Sequence, residues 1–157
     1  MTRSAFSDDG PYPGTYGCIR GHRARLLDGS GNGGTPDLRG SLVAWGSQVC
    51  GPEACDASIT SVDLRTGRRV VSGAASAQPS NFGPVLVRLA AGGVVFWTGL
   101  GRAPRETGLP NVYEVHRSDS RGTDMLLDVG LQVDPFSLAV AGGRAYWTAA
   151  GQPKTAT

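Results

Sequence analysis

Charge is scarce in this chain, and lysine is almost missing from it. Only 18% of its 157 residues are Asp, Glu, Lys or Arg, and Lys154 stands alone against fourteen arginines. A helical bundle needs Glu, Lys and Ala on its solvent faces, so that architecture is disfavoured. No apolar stretch reaches the length that spans a bilayer, so membrane insertion is not expected. The first ten residues hold no apolar core of the kind a secretory signal requires. Fifteen basic and thirteen acidic side chains give a formal net charge of +2. That balance offers no concentrated basic face for a nucleic-acid partner; the local excess is Arg20, His22, Arg23 and Arg25, with Arg68 and Arg69 further on. Catalytic signatures are absent too: there is no Gly-x-Ser-x-Gly elbow, no His-Glu-x-x-His and no phosphate loop. No catalytic residue and no cofactor are therefore assigned, and the chain is read as not an enzyme. His22 and His116 sit beside hairpin turns and are expected to be solvated. Glu106 and Glu114 are the carboxylates that could pair as acid and base, although nothing in their spacing requires it.

Present in excess are turn residues, with 24 Gly and 10 Pro beside 39% apolar residues. That mixture suits many short strands joined by tight turns. Three segments align on a tryptophan: Arg39-Gly-Ser-Leu-Val-Ala-Trp45, Ala91-Gly-Gly-Val-Val-Phe-Trp97 and Ala141-Gly-Gly-Arg-Ala-Tyr-Trp147. In each, a small pair (Gly40-Ser41, Gly92-Gly93, Gly142-Gly143) reads as a two-residue hairpin turn, where Gly takes positive φ at no steric cost. The tryptophans are expected in the core, packed between neighbouring sheets rather than lining a ligand channel. Val43, Val95 and Ala145 are expected to alternate with them in direction. A second hairpin follows each of the first two tryptophans, turning at Gly67 and at Gly122. A lone copy of it precedes the first, turning at Gly21.

The unit is four strands in about 50 residues, the period of a propeller blade. The fold class expected is all-β, a partial β-propeller of four-stranded antiparallel blades. It amounts to about three blades' worth, starting and ending mid-blade. Residues 1–14 are read as disordered and 15–152 as blade repeats. Those repeats divide into 15–28 (half blade), 35–74 (blade), 84–130 (blade) and 136–152 (half blade), with 153–157 as a tail. The Asp63-Leu-Arg-Thr-Gly67-Arg hairpin, the Gly-Gly-x-x-aromatic-Trp strands and the period together resemble bacterial extracytoplasmic propellers of the TolB-like and WD40-like six-bladed families. The Gly-His and Trp-Asp pair of the eukaryotic WD40 repeat is absent. The resemblance implies a fold and carries over no catalytic residue. It also implies an extracellular or cell-envelope location, as part of a longer secreted protein.

Two loops are candidate sites. Cys50 and Cys55 flank Gly51 and Pro52, whose turn can bring their Cβ atoms together as a disulfide. Free thiols are the alternative, or a zinc ion shared with Cys18 and His22 if all four converge. Asp28, Ser30 and Asn32 stand at the first, third and fifth positions of a calcium-loop start, with Asp37 as a further acidic ligand. Only two of the four are charged, so calcium would bind weakly; a flexible linker explains the composition as well. Gly29-x-Gly31-x-x-Gly34 matches the dinucleotide fingerprint, but no helix follows it to receive a pyrophosphate. The expected function is a non-catalytic scaffold that binds a protein or small molecule of unknown identity. Alternatives are a fragment of a secreted propeller enzyme (glycosidase, lyase or peptidase accessory domain) and a calcium-stabilised adhesion repeat. Open blade edges make self-association a further expectation.

Overall fold

Alternation of apolar and polar residues between glycine-rich turns produces an all-β molecule. A computed structural model describes residues 2–4, 15–28, 34–50, 55–75, 84–101 and 112–157; the side chains of 2–4, 15, 28, 50 and 55 are not described. Four antiparallel sheets follow one another along the chain, as in a partial β-propeller. The first contains β1 (Thr2–Ser4), β2 (Thr15–Gly17) and β3 (Arg25–Asp28). The second runs β4 (Asp37–Arg39), β5 (Leu42–Cys50), β6 (Cys55–Asp63), β7 (Arg69–Ala74). The third runs β8 (Pro84–Leu89), β9 (Val95–Gly101), β10 (Val112–Ser118), β11 (Asp124–Gly130). The last holds β12 (Val133–Ala141), β13 (Arg144–Ala149) and β14 (Gln152–Ala156). Within each sheet the strands pair in sequence order, so neighbours in the sheet are neighbours along the chain.

Two strands lie where the sequence reading placed none. Thr2–Ser4, inside the stretch read as disordered, pairs with β2 in the register Arg3 opposite Tyr16. Gln152–Ala156, partly assigned to a tail, adds a third strand to the last sheet with Lys154 opposite Trp147. The turns carry a smaller correction. Gly142 and Gly143 both have positive φ (56° and 80°) and join β12 to β13 in a two-residue turn between Ala141 and Arg144. The corresponding turn of the third sheet takes a third residue, Ala91, in a short 3₁₀ turn closed by Ala90 N–H donating to Val94 O at 2.8 Å.

Apolar residues meet between sheets, in three layers. Val43, Trp45 and Leu64 pack with Ile19 and Leu27 between the first and second sheets. Ala44, Ile59 and Val71 meet Val87, Val95 and Trp97 between the second and third. Phe96 and Val115 meet Leu138, Ala145 and Trp147 between the third and fourth. Each layer excludes water from both faces it joins, which is the term that holds the stack together. Hydrogen bonds cross the same layers. Arg25 Nε donates to Leu64 O at 3.0 Å, Leu89 N–H donates to Asp37 Oδ2 at 2.6 Å, and Thr98 Oγ1 donates to Pro135 O at 2.7 Å. No helix among the described residues is long and apolar enough to cross a membrane.

Candidate functional site

The tryptophans occupy matching places. Trp45, Trp97 and Trp147 each lie on the second strand of their sheet, are buried, and point toward the preceding sheet. Val43, Val95 and Ala145 point the same way, which corrects the expectation that they alternate with the indoles. They stand two residues from the tryptophan, and a strand's period is two. Ala44, Phe96 and Tyr146 are the residues that face the other way.

Around Trp97 the third sheet gathers three titratable side chains, Glu114, His116 and Asp124. On β10, Glu114, His116 and Ser118 share a face by alternation, and the register sets His116 directly opposite Trp97. The two rings stack with centroids 4.0 Å apart and planes 7° from parallel. His116 Nδ1 lies 2.8 Å from Asp124 Oδ2, and Nε2 lies 2.9 Å from Glu114 Oε2. Trp97 Nε1 donates to Ser118 Oγ at 3.1 Å, and that hydroxyl donates onward to Asp124 Oδ1 at 2.7 Å. Space for the Glu114 carboxylate depends on Gly101, where a Cβ would collide with it.

Charge in this cluster follows from the partners. Burial works against a charged imidazole, but the bonds to Asp124 and Glu114 outweigh it and raise the His116 pKa above the ordinary 6.5. Burial likewise opposes ionisation of Asp124, yet hydrogen bonds from His116, Ser118 and Trp97 hold its carboxyl below the ordinary 3.8. The arrangement sets the imidazole between two carboxylates with an aromatic face against it, each favouring the charged form of the ring. Both ring nitrogens already lie within hydrogen-bond distance of a carboxylate oxygen, so neither is open to a substrate. The expectation of a solvated His116 is thus corrected: its side chain is 12% exposed. His22, by contrast, is exposed.

Most of the remaining candidates from the sequence lie outside the described residues. Ser30 and Asn32 lie outside the described residues, as does the side chain of Asp28. Asp37 is described, and its carboxylate accepts from the third sheet's backbone. No group of three or more His, Cys, Asp or Glu side chains is placed to hold a metal ion among the described residues. Cys50 and Cys55 are opposite one another at the end of the β5–β6 hairpin, while their side chains and residues 51–54 lie outside the description. Glu106 also lies outside it.

Two cavities accompany these groups. One of about 480 Å³ lies at the turns of the last two sheets, lined by Asp128, Val129, Leu131, Gln132 and Lys154 among others. Its carboxylate Asp128 already accepts from Trp147 Nε1 at 2.7 Å. The other, of about 390 Å³, lies between the first two sheets beside Arg25, Trp45 and Arg69.

Sequence reasoning missed the Trp97–His116 cluster as a unit. The signal available was the period-two run Glu114-x-His116-x-Ser118 with Asp124 just past the turn; the pairing with Trp97 needed the register. Against known proteins, the chain matches no family model, no curated protein and no solved structure.

Proposed function

We propose that the chain is a non-catalytic scaffold built from propeller blade repeats, of the kind found in TolB-like extracytoplasmic proteins, presenting its loops and outer faces to a protein or small-molecule partner. The observation that supports this reading is the saturation of its densest polar cluster. A general acid or base needs one atom free to exchange a proton with substrate. In the His116 cluster every ring nitrogen already has a carboxylate, and the Ser118 hydroxyl is occupied as both donor and acceptor. Such a network stiffens the sheet and fixes one strand register.

Carbethoxylation of the folded chain tests the reading. The chain has two histidines, of which His22 is exposed. Modification is expected to stop at one histidine per chain, with mass spectrometry locating it at His22. Modification of His116 at a comparable rate in the folded protein would expose a free ring nitrogen and overturn the reading.

A further inference from the structure

Arginines that stand far apart along the chain meet at the crevice between the first and second sheets. Arg25, on β3, is two residues before Leu27, which packs toward the second sheet, so alternation turns both the same way. Its Nε donates to Leu64 O at 3.0 Å and its Nη2 to Arg65 O at 3.3 Å, which fixes the guanidinium against the β6–β7 turn. That turn is shaped to receive it, because at Gly67 a Cβ would collide with Arg25 Nη1. Arg69, on β7, is the cross-strand partner of Val62. Val62 packs toward the first sheet, and directly opposed side chains share a face, so Arg69 is carried toward Arg25. Both line the cavity of about 390 Å³ between the two sheets, where Leu27, Val62 and Trp45 supply an apolar wall.

Charge at this crevice is predominantly of one sign. Among the described residues no carboxylate pairs with Arg25 or Arg69, and the ion pairs there belong to the β10–β11 hairpin. The one carboxylate of the adjoining turn, Asp63, accepts from the backbone N–H of Arg65 at 2.9 Å. Arg65 and Arg68 flank Gly67 in that turn, and Arg23 precedes Ala24 of the cavity wall, so the surrounding charge adds to theirs. Like charges facing each other across a cleft repel, and a bound oxyanion turns that repulsion into attraction. Two cations are matched by a dianion, which a phosphate monoester approaches near neutral pH and a lone carboxylate does not. A guanidinium also presents a planar fork of N–H donors that fits phosphate oxygens. The volume lies within the range of small-molecule pockets and leaves room for an organic body beside the apolar wall. We propose that this crevice binds the phosphate group of a small molecule, with Arg69 and Arg25 holding its oxygens and Trp45 bordering the remainder. The site occupies a different layer from the His116 cluster, and it goes beyond the scaffold reading without resting on it.

Isothermal titration calorimetry of the full chain in low-salt buffer tests this, with phenyl phosphate and inorganic phosphate as separate probes. Saturable binding with a dissociation constant of about 1 mM or below is expected for at least one of them. Tighter binding of the ester identifies an organic phosphate as the ligand, and equal affinities identify the free ion; both outcomes support the site. No saturation by either probe at about 10 mM overturns it. Arg69→Gln is expected to weaken binding about tenfold or more. Arg69→Lys keeps the charge but loses the planar fork, so it should weaken binding by a smaller factor, and it serves as the test should the glutamine variant fail to fold. Arg121→Gln removes the same charge from the exposed β10–β11 turn and should leave the affinity unchanged. An equal loss in that variant would mean diffuse attraction by net charge and would overturn the site. In two-dimensional NMR spectra of the labelled chain, ligand should shift the indole N–H of Trp45. The indoles of Trp97 and Trp147, in the other two layers, should stay in place. Binding that moves either of those and not Trp45 would also refute the assignment.

Discussion

Replacing Trp97 by phenylalanine puts the inter-sheet packing to a quantitative test. The indole is 1% exposed, lies in the layer between the second and third sheets, and holds both the Ser118 hydroxyl and the His116 ring. Phenylalanine keeps a ring in place but deletes about three heavy atoms, removing roughly 40 Å² of buried apolar surface, or about 1 kcal/mol. The missing N–H removes a hydrogen bond with a net contribution of about 1 kcal/mol. Ser118 still donates to Asp124, so no orphaned group adds a desolvation penalty. Incomplete collapse around the smaller ring adds up to about 1 kcal/mol at roughly 24 cal/mol per Å³ of residual space. Together these put the destabilisation at about 2–3 kcal/mol. Urea unfolding followed by far-ultraviolet circular dichroism should show the midpoint falling by roughly 1–2 M with an unchanged slope. A loss below about 0.5 kcal/mol, the level of an ordinary surface change, would refute the placement of this indole in the stack.

Three further outcomes follow from the same geometry. Because the folded pKa of His116 lies above its ordinary value, its contribution to stability is complete below about pH 6.5 and is lost as pH rises through the folded pKa. Thermal melts should therefore decline on the alkaline side in the wild type, and this component should be missing in His116→Gln; identical pH profiles would contradict the raised pKa. Gly101→Ala should push the Glu114 carboxylate off His116, lowering the ring's pKa in an NMR titration, and an unmoved titration would show that Glu114 does not hold the ring. Ser61 Oγ is fully buried with no hydrogen-bond partner among the described residues, so Ser61→Ala should raise unfolding free energy by about 1 kcal/mol; a destabilised variant would reveal a bond to that hydroxyl.

What the sequence disclosed was local, and what it concealed depended on register. The three Trp-bearing strands were legible because glycine turns and alternating apolar residues mark a half-buried hairpin within a dozen residues. β14 was not, since Gln152-Pro-Lys-Thr-Ala156 shows no apolar alternation and contains a proline. Its place at the border of its sheet explains both, because a border strand tolerates proline and need not bury a face. Thr2–Ser4 is too short to show any period. The His116 cluster draws residues from β9, β10 and β11, and a bulge between Val115 and His116 shifts the pairing with β11. No window of sequence contains that information. A histidine near a turn reads as solvated, and only the cross-strand indole and two flanking carboxylates reverse it.

Asp37 has a consequence for the fate of the chain in crowded solution. Its carboxylate holds the amide of Leu89, and Leu89 belongs to β8, the border strand of its sheet. An extended peptide templates itself on such a border by pairing with exposed amides, the first step toward ribbon-like aggregates. With that amide already taken by the neighbouring sheet, an intruding strand must first displace a charged acceptor. Asp37→Ala would leave the apolar layers in place and unlock the rim, freeing the Leu89 amide to pair with a foreign strand.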